Sequence, residues 1–154
     1  MPRTKRTDAE LQEASNHLRY EFSMLGSVAQ AIASGMSSNG WLLNALLESF
    51  VIHFRNLLDF FYPTENAKND DVLAEDYFDD GAWNKIRPAL SDAMAQGKIR
   101  AHKEIAHLTY ARLQVTPESK NWKFIDITNE LNEIMEVFVS HVPKARLGSK
   151  WQNR

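Results

Sequence analysis

Leu11, Ala14, Leu18, Phe22, Leu25 and Ala29 recur three and four residues apart, the spacing of one buried helical face. Thr7 or Asp8 caps this first helix, because a side-chain oxygen there satisfies free backbone N–H groups. The GMSSNG stretch, residues 35–40, breaks it. A second helix is predicted from Trp41 to Tyr62. Fifteen of its 22 residues are apolar, on most sides of the wheel, as in a helix at the centre of a bundle. Pro63 stops it. Residues 63–81 are rich in Asp, Glu and Asn and read as a loop with one short helical turn around Val72 to Phe78, with Trp83 and Ile86 anchoring the return to the core. Pro88 and Ser91 are start signals for a third long element over 89–114, which Gly97 divides. The last helix, Trp122 to Val142, carries the stripe Ile127, Leu131, Ile134, Met135 and Phe138, and Pro143 ends it. No alternating strand pattern of useful length, internal repeat or second domain is visible. The predicted fold is all-α: an antiparallel bundle of four main helices with a long acidic loop after the second helix. It forms a single helical domain over 1–154, with solvated basic tails at 1–6 and 143–154.

Composition narrows the function classes. With 44% hydrophobic and 25% charged residues the balance is that of an ordinary globular domain. A formal net charge of −2 supplies no general pull toward nucleic acid or anionic lipid, so such binding requires a local patch. Seven of the 18 basic residues sit in the two tails, where they would form a modest patch if both ends shared one side. The chain has no Cys, which excludes a disulfide framework, a thiolate metal site and a thiol nucleophile, and fits a reducing, cytoplasmic setting. The N-terminus MPRTKRTDAE lacks the apolar run of a secretory signal. Residues 22–47 carry no charge but are diluted by Ser, Gly, Asn and Gln, so no membrane span is predicted.

Two segments interleave charge with apolar residues at helical spacing, HFRNLLDFFY (53–62) and RAHKEIAHLTYARL (100–113). Isolated charges in a core are costly, so such positions need partners or a task. In the first, Glu48, Arg55 and Asp59 fall within about 40° on a helical wheel. They form either an ion-pair network or a site where Arg55 receives a phosphate or carboxylate, whose geometry its fork matches. His53 lies off that stripe and reads as a hydrogen-bonded, half-core histidine. In the second, Arg100 and His107 fall within about 20° of each other, and Lys103 and Glu104 share their face. An arginine can hold a phosphate while a histidine moves a proton near neutral pH. No metal site is predicted. His102 and His107 diverge by about 140° on a helix, and the acids at 70, 71, 75, 76, 79 and 80 do not follow the spacing of a calcium-binding loop. No cofactor signature is present.

Arg100, six residues, then His107 on a helix resembles the Rx4–6H motif of HEPN-like all-helical proteins, with Ala101 where the residue after the Arg is often Asn, Asp or His. That resemblance implies a metal-independent ribonuclease or an RNA-binding relative. Arg100 would grip the scissile phosphate and His107 would serve as acid or base while a ribose 2′-hydroxyl attacks. It also implies a homodimer with facing motifs. HFRNLLDFFY, DDVLAEDYF and KEIAHLTYARL together resemble a set that recurs in uncharacterised bacterial helical proteins, over roughly residues 41–125, which implies a bacterial origin and a helical fold but no activity. Two other functions fit the same residues. One is a non-catalytic helical interaction module acting as a homodimer, with Phe60, Phe61, Tyr62, Tyr77, Phe78 and Trp83 as its interface. The other is a small-ligand binder in which Arg55 and His107 converge between helices.

Overall fold

The structure, a computed structural model, describes residues 3–35, 40–106, 108–116 and 121–151. Among them every regular element is helical. Thr7 starts α1 (Asp8–Ala33) with a reciprocal cap. Its hydroxyl accepts from the Glu10 N–H, and the Glu10 carboxylate accepts from the Thr7 N–H at 2.8 Å. The Thr7 N–H foremost, and then the Thr7 hydroxyl donating to the same oxygen at 2.9 Å, hold the Glu10 carboxyl below its usual range. Leu11, Leu18, Leu25, Val28 and Ala29 are buried as the spacing predicts, and Ala14 and Phe22 are half-buried.

The second helix, α2 (Gly40–Phe61), packs chiefly on α1. Only its C-terminal half is central. Phe50, Val51, Phe54, Leu57, Leu58, Phe60 and Phe61 are buried, whereas Trp41 and Leu42 are exposed. The carbonyls left over at its end are taken by later parts of the chain. The Phe61 carbonyl accepts from Trp83 Nε1 at 3.0 Å and from Arg87 at 3.2 Å, and the Tyr62 carbonyl accepts from Lys98 Nζ at 3.1 Å.

Between α2 and α3 (Ala82–Ile86) lies one 3₁₀ turn, Ala74–Tyr77, within the span where a short turn is predicted. This stretch is fastened inward. Tyr77 is fully buried and its hydroxyl donates to the Leu11 carbonyl at 3.0 Å. Burial pushes the Tyr77 phenol well above its usual range. The aromatics assigned above to an interface are instead core. Phe60, Phe61, Tyr77 and Trp83 are buried, and Tyr62 and Phe78 are half-buried.

The predicted element over 89–114 is not one helix. Ser91 caps α4 (Asp92–Arg100), accepting from the Met94 N–H at 3.2 Å. The helix then widens into a π segment, Ala101–Ala106, and a separate 3₁₀ turn follows at Tyr110–Gln114. Gly97 does not divide α4. It lets the helix press against Phe54, whose Cζ would lie 3.0 Å from an added Cβ. The last long helix, α5 (Phe124–His141), buries Ile127, Leu131, Ile134, Met135 and Phe138, the stripe read from the sequence.

In the described parts of the basic ends, Arg3 and Arg146 are tied to the body rather than solvated, while Lys144 and Lys150 are exposed. Arg3 pairs with Asp76 at 3.0 Å and donates to the Lys68 and Asp71 carbonyls; Lys5 reaches Asp79 at 3.7 Å. Arg146, with its side chain only 14% exposed, bridges Asp8 and Asp79, each at 3.2 Å. Beyond it, Trp151 is buried and donates to the Ser15 carbonyl at 2.9 Å. Two acids of the 63–81 stretch, Asp76 and Asp79, thus receive cations from the two ends of the chain.

Gly148 makes the C-terminal contact possible. Its N–H donates to Ser15 Oγ at 2.8 Å, and an added Cβ would lie 2.8 Å from both the Gln12 carbonyl and Asn16 Oδ1. One of those atoms is backbone and cannot swing aside. Gly148→Ala is therefore expected to destabilise the protein by about 1–3 kcal/mol, the usual cost of overpacking, and to raise the accessibility of Trp151. Thermal denaturation followed by tryptophan fluorescence checks this.

Candidate functional site

Two neighbouring constellations carry the candidate residues, one on α2 and one at the end of α4. Arg55 and Asp59 are one helical turn apart on α2, and their closest charged atoms are 3.5 Å apart. Lys98, entering from α4, lies 2.6 Å from the other Asp59 oxygen. Nothing in the spacing of the sequence points to Lys98 here except its place in the last turn of a helix, where cations are favoured. Glu48 does not join Arg55. It is exposed and makes no ion pair among the described residues. Arg55 is therefore not a buried guanidinium held by two carboxylates. Its side chain is 43% exposed.

At the end of α4, Arg100 is engaged on two sides. Its Nε and one terminal nitrogen lie 3.1 and 3.2 Å from the two oxygens of Glu104, a bidentate pair. Its guanidinium carbon sits 4.4 Å from the centre of the Trp122 ring, within cation–π range. A third contact reaches the Asn121 carbonyl at 3.5 Å. To grip a phosphate with the same edge, Arg100 would have to exchange Glu104 for it. Lys103 is exposed, and its carbonyl accepts from the Thr109 hydroxyl at 2.8 Å. His107 lies outside the described residues. The wheel that put positions 100 and 107 on one face assumed α-helical turns throughout. The intervening residues 101–106 are π-helical, with i→i+5 closure, so that angle does not carry over.

A third pairing was not read from the sequence. His53 is buried and its Nδ1 lies 2.7 Å from Glu21 of α1, which also accepts from Asn56 at 3.0 Å. The edge of Tyr20 meets the His53 ring at 5.9 Å between centroids. Glu21 could have been found from spacing. It lies three residues after Leu18 and four before Leu25, and an acid on a buried face needs a partner. Among the described residues, no group of three or more His, Asp or Glu side chains could hold a metal ion. No described helix is long and apolar enough to cross a membrane.

Three cavities line this side of α2. A polar groove of about 820 Å³ is bounded by Arg55, Asp59, Lys68, Lys98 and His102 among others. A smaller pocket of about 180 Å³ lies between Val51, Ile52, Ala101 and Ile105, with Glu48 at its edge, and shares Arg55 and Asn56 with the groove. A third, of about 290 Å³, continues past Glu48 to Arg112, Val115 and Trp122. The chain matches no family model, and it matches neither a curated protein nor a solved structure.

The Arg100–Glu104–Trp122 arrangement is that of a clamp joining α4 to the segment just before α5. Arg100→Lys removes the planar fork that both contacts use, and Glu104→Gln removes the opposing charge. The two are expected to be non-additive in a double-mutant cycle, coupled by about 1 kcal/mol for this partly exposed pair. Urea denaturation of the two single variants and the double variant checks it.

Proposed function

We propose that this chain is a non-catalytic helical interaction module, an antiparallel bundle that works as a homodimer in the bacterial cytoplasm. The observation that carries the reading is the exposure of four large apolar side chains. Leu108, Tyr110 and Leu113 are 90%, 90% and 78% exposed, and Trp41 at the start of α2 is 81% exposed. Scattered single apolar residues on a surface are ordinary, but several large ones within six residues of one segment mark a contact surface. Those three stand on a stretch tied down through its backbone and polar groups. Thr109 donates to the Lys103 carbonyl, and Arg112 donates to the Ile105 carbonyl at 3.1 Å. The apolar side chains are thus presented rather than buried. Tyrosine and tryptophan are favoured at the centres of interfaces.

Sedimentation velocity tests the reading. The wild type should sediment as a dimer at micromolar concentration. The paired substitution Leu108→Glu with Leu113→Glu, at positions 90% and 78% exposed in the protomer, should give a folded monomer. A wild type that stays monomeric at about 100 μM, a Kd above that of any standard-size interface, would overturn it.

A second reading has one observation in its favour. It is the HEPN-like one, RNA binding or metal-independent RNA cleavage, with Arg100 and His107 as the reacting pair and Lys103 and Glu104 beside them. α4 passes into a π segment immediately after Arg100, and π turns inside α-helices recur at functional sites. A ribonuclease assay of wild type against His107→Ala decides it. Cleavage by the wild type and its loss in the variant is the expected outcome under this reading. Equal activity in both proteins removes His107 from any mechanism.

A further inference from the structure

Arg55 stands where two cavities meet, and it lines both. On one side is the polar groove with Lys68, Lys98 and His102 on its walls. On the other is the small pocket walled by Val51, Ile52, Ala101 and Ile105. We propose that this junction is a binding site for a small amphipathic organic anion, its carboxylate held by Arg55 and its apolar end, about the size of a phenyl ring, held in the small pocket.

The head-group end rests on how Arg55 is held. Asp59 approaches Nε at 3.5 Å, and no hydrogen bond joins the Arg55 guanidinium to any described residue. The paired terminal nitrogens are therefore open on the edge that takes a carboxylate in bidentate fashion. Asp59 does not cancel that attraction, because Lys98 lies closer to it, at 2.6 Å. Lys98 is in turn fixed by the Tyr62 carbonyl at 3.1 Å. Around the groove, Arg55, Lys68 and Lys98 stand against Asp59 and Asp71, a local positive excess in a chain whose net charge is −2.

The apolar end rests on size and lining. The pocket holds about 180 Å³, and an apolar cavity of about 150 Å³ is enough for benzene. Val51 and Ala101 on its walls are each only 1% exposed, so its floor is packed core. Glu48 at the far edge is exposed and makes no ion pair among the described residues. Glu48 disfavours a second anionic group at that end, so the site selects a monoanion with a plain apolar tail over a dicarboxylate. The site is independent of the surface at Leu108–Leu113, and it survives if self-association fails.

The test uses 3-phenylpropionate, 3-phenylpropionamide, acetate and adipate, titrated into the full chain and followed by amide chemical shifts. Phenylpropionate should shift the amides of Arg55, Asn56 and Ala101 saturably. Its neutral amide, acetate and adipate should each bind at least tenfold more weakly. Arg55→Gln and Ile52→Gln alter an exposed or half-exposed side chain and should keep the wild-type spectrum elsewhere. Each should weaken phenylpropionate by tenfold or more, a difference of about 1.4 kcal/mol. Equal binding of the acid and its amide, wild-type binding by Arg55→Gln, or no saturation with a Kd below about 10 mM would overturn the proposal.

Discussion

Phe138 of α5 is the side chain on which the rest of the arrangement converges. Its ring lies 5.3–5.9 Å, centre to centre, from Phe60, Phe61, Tyr77, Phe78 and Trp83, each pair steeply inclined. Edge-to-face pairs of this kind contribute about 0.5–1.5 kcal/mol each beyond the burial of their area. Phe60 and Phe61 come from the end of α2, Tyr77 and Phe78 from the turn after it, and Trp83 from α3. One ring therefore determines where a twenty-residue excursion of the chain returns. Trp83 then donates to the Phe61 carbonyl, which closes the end of α2. The return path sets where α4 begins, and α4 brings Lys98 to Asp59. The groove lies beside that aromatic packing, and Arg3 fastens its Lys68 and Asp71 wall through their carbonyls.

The parts of the fold legible in the sequence are those governed by periodicity and by caps. Thr7, Ser91, Pro63 and Pro143 mark ends because their chemistry is local, and the α5 stripe is a simple spacing. The fate of the charged segments was not legible, because it depends on pairing across long separations. Arg3 meets Asp76 and Arg146 meets Asp8 and Asp79. Nothing in a linear text shows which acids of such a run, here Asp76 and Asp79, will meet a cation from a distant part of the chain. The aromatics misled for a related reason. A loop-borne Tyr77 or Phe78 reads as exposed until the partner ring, Phe138, is known to lie opposite.

Legibility of the candidate site divides the same way. The pair Arg55–Asp59 and the pair Arg100–Glu104 are both four apart, and both form, as neighbours on a helix face do. Lys98 and Glu21 come from other helices and were missed. Glu48 shares the Arg55 stripe on a wheel yet stands apart. Two turns separate the positions along the axis by about 10 Å, more than two side chains need span when each can turn to solvent.

The stretch after α4 shows how packing and function compete for one arginine. An arginine offered to a phosphate must keep an edge open, whereas one that locks helices together spends its edges on protein. Arg100 spends its edge on Glu104 and its face on Trp122, and Trp122 is buried under it. Arg55 has the opposite character: a single carboxylate at 3.5 Å and an exposed side chain. Within the protomer, then, Arg100 is engaged by protein on an edge and a face, whereas Arg55 meets one carboxylate and is 43% exposed. The motif spacing in the sequence favoured Arg100. The difference arises because spacing records which residues could share a face, while availability depends on what has come to stand opposite. Here a glutamate one turn on and Trp122, just before α5, stand opposite Arg100, and an open groove stands opposite Arg55.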